Sequence, residues 1–196
     1  MLIEVGVDLN GPLRNARHTS LLVLRRITGL HIPKHQFFGK YTIELGTKFR
    51  GRDGKWRALT YQDWSEANAY IHEDPQRFIQ LWRSTGGACE ALHRVKAEHH
   101  KIKVVSGMRS FGEDFIRDLL RKKELVVDEV QLTQRKPKLC LYRPCDVVID
   151  NEPQHFKGLN PQSHKLLFMS GDKFMPVPEG VVRTTSWDQN LQYVFT

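Results

Sequence analysis

The hydrophobic and polar positions divide the chain into an irregular first half and a regularly alternating second half. Leu2 to Leu9 is a short apolar run with Val5, Val7 and Leu9 suited to a buried strand, and Gly11-Pro12 stops it. Thr19-Ser20 can cap a helix through Leu21, Leu22, Leu24 and Ile27, closed by Gly29. Pro33 suits the first turn of another short helix carrying Phe37, Phe38 and Tyr41. Arg52-Asp53-Gly54-Lys55 predicts a tight hairpin turn between Lys48-Phe49-Arg50 and Trp56-Arg57-Ala58. Thr60-Tyr61-Gln62-Asp63 has the capping-box pattern ahead of Trp64, Ala67 and Ile71, and Asp74-Pro75 starts a helix with Phe78, Leu81 and Trp82.

From Gly86 onward the spacing becomes regular. Ala88, Leu92 and Val95 recur at helical spacing before an apolar strand run at 102–106. Phe111, Phe115, Ile116, Leu119 and Leu120 form the next helix. Apolar runs follow around Leu125-Val127 and Val130-Leu132, then Val147-Ile149, Leu166-Met169 and Val181-Arg183, with Ser186 capping a last helix. Strands alternating with helices predict an α/β fold with one parallel sheet and helices on both faces. Residues 14–84 do not follow that alternation. They are expected to form a mainly helical cap inserted into a core of residues 1–13 and 85–196.

Composition narrows the picture modestly. With 196 residues, 40% hydrophobic and 27% charged, the chain is an ordinary globular one, large enough for a sizeable core. A formal charge of +8 favours anionic partners: phosphorylated small molecules, nucleic acid or anionic lipid. No apolar run approaches the length of a membrane span, so no membrane role is expected. The three cysteines have no paired metal spacing and suit a reducing, cytoplasmic setting.

Three predicted strands each deliver a small polar residue at their carboxyl ends: Asp8, Ser106 and Asp150. In an open parallel sheet that edge is where ligands bind. Either aspartate alone could be a turn residue, and Ser106-Gly107 alone could be a plain strand-to-helix turn. Their order changes the weighing.

Asp8-Leu9-Asn10-Gly11, Val104-Val105-Ser106, Lys138 and Val147-Val148-Ile149-Asp150-Asn151 resemble the four ordered motifs of the haloacid dehalogenase-like superfamily. The chain is most similar to its deoxyribonucleotidase (5'-nucleotidase) branch. Gly87-Ala88 with Ala91-Leu92 ahead of the second motif, and Thr185-Ser186-Trp187-Asp188 near the end, support this. The resemblance implies a Rossmann-like sheet, a cap after the first strand, and a Mg²⁺-dependent phosphohydrolase acting on a nucleotide or related phosphate monoester.

In that scheme Asp8 attacks phosphorus to give an aspartyl-phosphate. Asp8, Asp150 and the backbone carbonyl of Asn10 hold Mg²⁺, a hard cation that takes oxygen ligands. Ser106 and the Gly107 N–H bind the phosphoryl oxygens. Lys138 neutralises developing charge, with Lys136 as a rival for that place. Arg109 either faces the phosphate or is exposed. Phe37 and Tyr41, with Phe38, Trp56 and Trp64, either stack on a substrate base or fill the cap's own core.

Two positions depart from the family pattern. Asn10 stands where a second aspartate would serve as acid and base, a contribution of about 10²–10⁴-fold, and Asn151 stands where a second acid is common. Impaired turnover, or a catalytically silent protein that binds a nucleotide or phosphorylated ligand, is the alternative this leaves open. So does a third reading, action on nucleic-acid ends or nucleic-acid binding, suggested by Arg50, Arg52, Lys55 and Arg57 on the hairpin.

Overall fold

Six apolar runs pair into one all-parallel sheet. They are β1 (Glu4–Asp8), β4 (Lys101–Ser106), β5 (Glu129–Leu132), β6 (Val147–Asp150), β7 (His164–Phe168) and β8 (Val182–Thr184), in the order β5-β4-β1-β6-β7-β8. The computed structural model describes residues 2–33, 47–108, 110–133, 137–169 and 176–196. Val5, Val7, Ile102, Val104, Val105, Val148, Ile149, Leu166 and Leu167 are all buried. Central strands covered on both faces need side chains that are apolar on both faces, which is why these runs do not alternate.

The chain divides into two compact units: Met1–Arg14 with Ser84–Thr196, and Asn15–Arg83. The first holds the large sheet with α4 (Ala88–Ala97), α5 (Glu113–Lys122), α6 (Lys138–Tyr142) and α7 (Trp187–Val194). The second holds α1 (Ala16–Thr28), α2 (Tyr61–His72) and α3 (Pro75–Leu81), with the hairpin of β2 (Lys48–Arg50) and β3 (Trp56–Ala58). The α2 capping box forms as expected, since Thr60 accepts from the Asp63 N–H and the Asp63 side chain accepts from the Thr60 N–H.

Two local differences from the sequence reading have clear causes. α1 starts at Ala16, capped by Asn15, whose side chain accepts from the His18 N–H. Thr19 is therefore not a cap; it lies inside the helix, buried, and donates to the Leu81 carbonyl at 2.9 Å. Between β5 and β6 the chain adds α6, which begins at Lys138 directly after Pro137. Five residues carry too little periodicity to reveal a helix.

The turn after β1 is fixed from three directions. The Thr85 hydroxyl donates to the Gly11 carbonyl at 2.6 Å, the Thr85 N–H donates to the Leu13 carbonyl at 2.9 Å, and the Trp187 indole N–H donates to the Pro12 carbonyl at 2.8 Å. The residues around Gly87 and Trp187 thus act together to hold the loop that carries Asn10.

Candidate active site

Strand register brings the two aspartates level. Val7 pairs with Ile149 across β1 and β6, so the next residues, Asp8 and Asp150, end adjacent strands at the same height. On the other side of β1, Asp8 pairs with Val105, one residue before Ser106 ends β4. Asp8, Ser106 and Asp150 are all buried at this carboxyl edge.

Lys138 reaches both carboxylates. Its Nζ lies 2.8 Å from Asp8 Oδ1 and 3.1 Å from Asp150 Oδ2. It is Lys138, the first residue of α6, that makes these contacts; Lys136 lies outside the described residues. Burial alone would lower the Lys138 pKa, but the facing charges of Asp8 and Asp150 raise it, so the ammonium keeps its proton.

The two carboxylates are not equivalent. Burial pushes Asp8 up to about 7, with Lys138 pulling it down and Asp150 pushing it up. Burial would also raise Asp150, but Lys138, His155 and the Glu152 N–H together hold it below the ordinary carboxylate range. Both oxygens of Asp150 are engaged. Oδ2 accepts from the Tyr142 hydroxyl at 2.8 Å and from Lys138, and lies 3.0 Å from His155 Nδ1; Oδ1 accepts from the Glu152 N–H at 2.9 Å. The carboxylate held low thus anchors the lysine, while burial lifts the other toward neutrality.

Tyr142, His155 and Arg14 join the cluster without having been singled out in the sequence, and Asn151, noted there only for standing where an acid is common, joins it too. Tyr142 follows Lys138 by four residues and so shares its helix face. Its ring lies on β1 at Gly6, where an added Cβ would come within 2.8 Å of the ring and of Cys145 Sγ. Below it Leu141, Cys145, Val148, Phe156, Leu159, Leu167 and Met169 complete the apolar floor. Asn10 turns its side chain to Arg14, which donates to Asn10 Oδ1 at 3.0 Å.

Other expected residues lie less centrally. Ser106 Oγ accepts from the Met108 N–H at 3.2 Å and so shapes its own turn. Gly107 is exposed, and a Cβ there would find Thr133 Oγ1 at 3.8 Å, so the turn leaves room for a ligand. Arg109, Phe37, Phe38 and Tyr41 lie outside the described residues. On the hairpin, Trp56 is 68% exposed and fills no core. Its neighbour Arg57 lies 3.1 Å from Asp63; burial would raise the Asp63 carboxyl, but the Thr60 N–H and hydroxyl, together with Arg57, hold it low.

Two oxygens that could meet a divalent cation lie beside Asn151. Asp8 Oδ2 and the Asn10 carbonyl both face the carboxamide end of Asn151, at 2.9 and 2.8 Å. Three oxygens at such distances repel one another, so without a cation the amide nitrogen faces inward and donates to both. With the amide turned, its oxygen would stand 2.9 Å from Asp8 Oδ2 and 2.8 Å from the Asn10 carbonyl, three hard oxygen donors of the kind a divalent cation takes. The residues therefore fit Mg²⁺, on condition that Asn151 rotates. Among the described residues no group of three His, Cys, Asp or Glu side chains could hold a metal.

Comparisons with solved structures place this arrangement in a known fold. A HAD-superfamily hydrolase from Geobacter sulfurreducens matches with a TM-score of 0.55 at 13% identity, over 98% of this chain and 96% of that one. A β-phosphoglucomutase-like protein from Thermotoga maritima gives 0.53 at 13% identity, over 97% of each chain. CbbY from Rhodobacter sphaeroides, solved in complex with phosphate, gives 0.53 at 13% identity over 95% of each chain. A mutant of CbbY, solved with xylulose-(1,5)bisphosphate, gives 0.54 at 12% identity, also over 95% of each. No family model matches the chain, and no curated protein matches its sequence. The chain has the α/β fold of the haloacid dehalogenase-like hydrolases.

Proposed function

We propose that the chain is a phosphohydrolase that acts on a small phosphate monoester, a nucleotide or a sugar phosphate, with Asp8 as the nucleophile. The observation that carries this reading is the buried Asp8–Lys138–Asp150 cluster at the carboxyl edge of the parallel sheet. A phosphate dianion and a carboxylate repel each other, and an ammonium 2.8 Å from the nucleophile offsets that repulsion. Asp150, held low by Lys138, His155 and the Glu152 N–H, keeps the ammonium in place and charged.

In the first step an Asp8 oxygen forms a bond to phosphorus as the ester P–O bond breaks. The leaving oxygen takes its proton from water, because Asn10 has none to give. In the second step water attacks the aspartyl-phosphate, releasing inorganic phosphate and restoring Asp8. Ser106 and the Gly107 N–H are the groups proposed to hold the phosphoryl oxygens. When bound, Mg²⁺ would supply further charge neutralisation beside Asp8 and the Asn10 carbonyl, with Asp150 adding its negative charge nearby. We assign the choice of substrate to residues 15–83, with Phe37 and Tyr41 as candidates and Arg109 as a candidate phosphate contact.

The sugar-phosphate class draws support from the CbbY complexes; the nucleotide class rests on the resemblance of the motifs. The test is a hydrolysis screen over nucleoside monophosphates and sugar phosphates with Mg²⁺, run beside Asp8→Asn. Release of phosphate by the native chain and not by the variant supports the proposal. One observation favours a second reading: Asn10 is engaged by Arg14 where the family pattern has an acid. If phosphate esters bind without turnover, the chain is a phosphate-ligand-binding protein on a hydrolase fold.

A further inference from the structure

We propose that the Asn151 carboxamide is a built-in competitor for the divalent cation at this site. With its nitrogen inward it bridges Asp8 Oδ2 and the Asn10 carbonyl; with its oxygen inward it becomes the cation's third protein ligand, in place of Asp150.

Three observations carry the proposal. First, the carboxamide terminus lies 2.9 Å from Asp8 Oδ2 and 2.8 Å from the Asn10 carbonyl, the two oxygens most available to a hard cation. A single NH2 group has two hydrogens, enough to satisfy both acceptors at once. Second, Asp150 is committed elsewhere: its Oδ2 faces Tyr142, Lys138 and His155, and its Oδ1 accepts from the Glu152 N–H. A cation would have to displace an ammonium or a buried hydroxyl to reach it. Third, the Gly11 backbone packs closely against Asn151. A Cβ on Gly11 would lie 2.8 Å from its Cγ and 2.9 Å from its Cβ, and Gly11 has a φ of +99°, a conformation suited to glycine. The Asn151 amide can rotate in place, since the two orientations have nearly the same shape.

Two consequences follow from this geometry. Cation entry must break two hydrogen bonds, one of them to a carboxylate oxygen. The site also gains a neutral ligand where an acid would bring a charge. Both weaken affinity, by more than an amide at an open position would.

The proposal rests on reading Asp8 as the residue a cation would neutralise, but its test needs no substrate. Mg²⁺ and Mn²⁺ alone are titrated calorimetrically into the native chain and into Asn151→Asp. The variant removes the two competing donors and adds a charge, so it should bind on the order of tenfold tighter or more. In chelator it should melt below the native chain, because a second carboxylate then faces Asp8, and Mg²⁺ should reverse the order. A second measurement covers a variant that fails to fold. On the native chain, the Asn151 side-chain NH2 resonance, assigned by its loss in Asn151→Ala, should change from hydrogen-bonded to solvent-exchanging as Mg²⁺ saturates.

Binding to the variant alone, with none to the native chain, also supports the competitor. Equal affinity of the two chains, no binding to either, or an NH2 signal unmoved at saturation overturns it. Tight metal binding by Asn151→Asp, with no phosphate ester hydrolysed by the native chain, would leave this inference standing and remove the enzyme reading.

Discussion

Arg14 donates a hydrogen bond from Nη1 to Asn10 Oδ1 at 3.0 Å, with the guanidinium buried and its pKa pushed down by that burial to about 10. The cation is thus aimed at the position where the motif pattern that this chain resembles has an acid. An aspartate placed there would be paired with Arg14 and held ionised, and an ionised acid cannot protonate a leaving group.

The first prediction follows from that pair. Asn10→Asp alone should raise turnover of an alkyl phosphate less than about tenfold, well short of the 10²–10⁴ that acid–base assistance can supply. Asn10→Asp combined with Arg14→Gln should recover more, and more for alkyl than for aryl phosphates, whose leaving groups need little protonation. The comparison is made by kcat/KM on one alkyl and one aryl substrate. A full gain from the single substitution would show that Arg14 does not control the position.

Lys138 has two buried carboxylates to itself, at 2.8 and 3.1 Å. Replacing it with Met removes the charge that offsets both. Such a change leaves uncompensated buried charge, worth about 3–5 kcal/mol of stability where it cannot relax. It should also raise the Asp8 pKa further, since Lys138 lowers it. Denaturant unfolding of Lys138→Met should therefore show a large loss at pH 8, recovering as the pH falls and Asp8 takes up a proton.

Asp8 itself predicts a pH dependence with a definite sign. Its pKa is raised from 3.8 to about 7 in the folded chain. Below the unfolded value the contribution of this group to stability is fully present. Across the window from about 4 to 7 the folded state keeps a proton that the unfolded chain has released, so stability falls as pH rises, by up to ~1.4 kcal/mol per unit. Asp8→Asn should flatten that slope in thermal melts between pH 4 and 8. Mg²⁺ beside Asp8 would favour the ionised form, so the melts are run in chelator and the slope should shrink when Mg²⁺ is added.

Gly6 gives a packing prediction. A Cβ there would meet Cys145 Sγ and the Tyr142 ring at 2.8 Å, closer than real Cβ contacts allow. Gly6→Ala should cost about 1–3 kcal/mol through overpacking. It should also push Tyr142, and with it α6 and Lys138, away from Asp150. Tyr142→Phe, which keeps the ring and loses only the hydroxyl bond to Asp150, separates the two effects. It should lower activity with a smaller loss of stability.

Much of this site was legible because strand chemistry is local. Apolar runs ending in Asp8, Ser106 and Asp150 announce themselves in sequence, and the parallel sheet follows from their alternation with helices. Lys138 could be picked out beside Lys136 only by its spacing from Asp150. Tyr142 and His155 escaped notice because their roles depend on α6 and on a short 3-10 helix at Pro153–Phe156, each too brief to leave a periodic signal. The Tyr142–Lys138 spacing of four was the available hint. Asn151 registered only as a missing acid. What it does instead is set by the Gly11 backbone conformation and the close approach of two loops, neither of which a residue pattern encodes. The pattern favours Thr19 over Asn15 as the cap, yet the Thr19 hydroxyl is drawn to the Leu81 carbonyl, 62 residues away in sequence.

The central claim is that Asp8 carries the phosphoryl group, and trapping that species tests it most directly. The native chain is mixed with an aryl phosphate and Mg²⁺, quenched in acid within the first turnover, and examined by intact and peptide mass spectrometry. The account predicts a mass gain of one phosphoryl group on the peptide containing Asp8, removed by hydroxylamine and absent from Asp8→Asn. A phosphoryl group found on another residue, or none formed while phosphate is still released at the native rate, would contradict it.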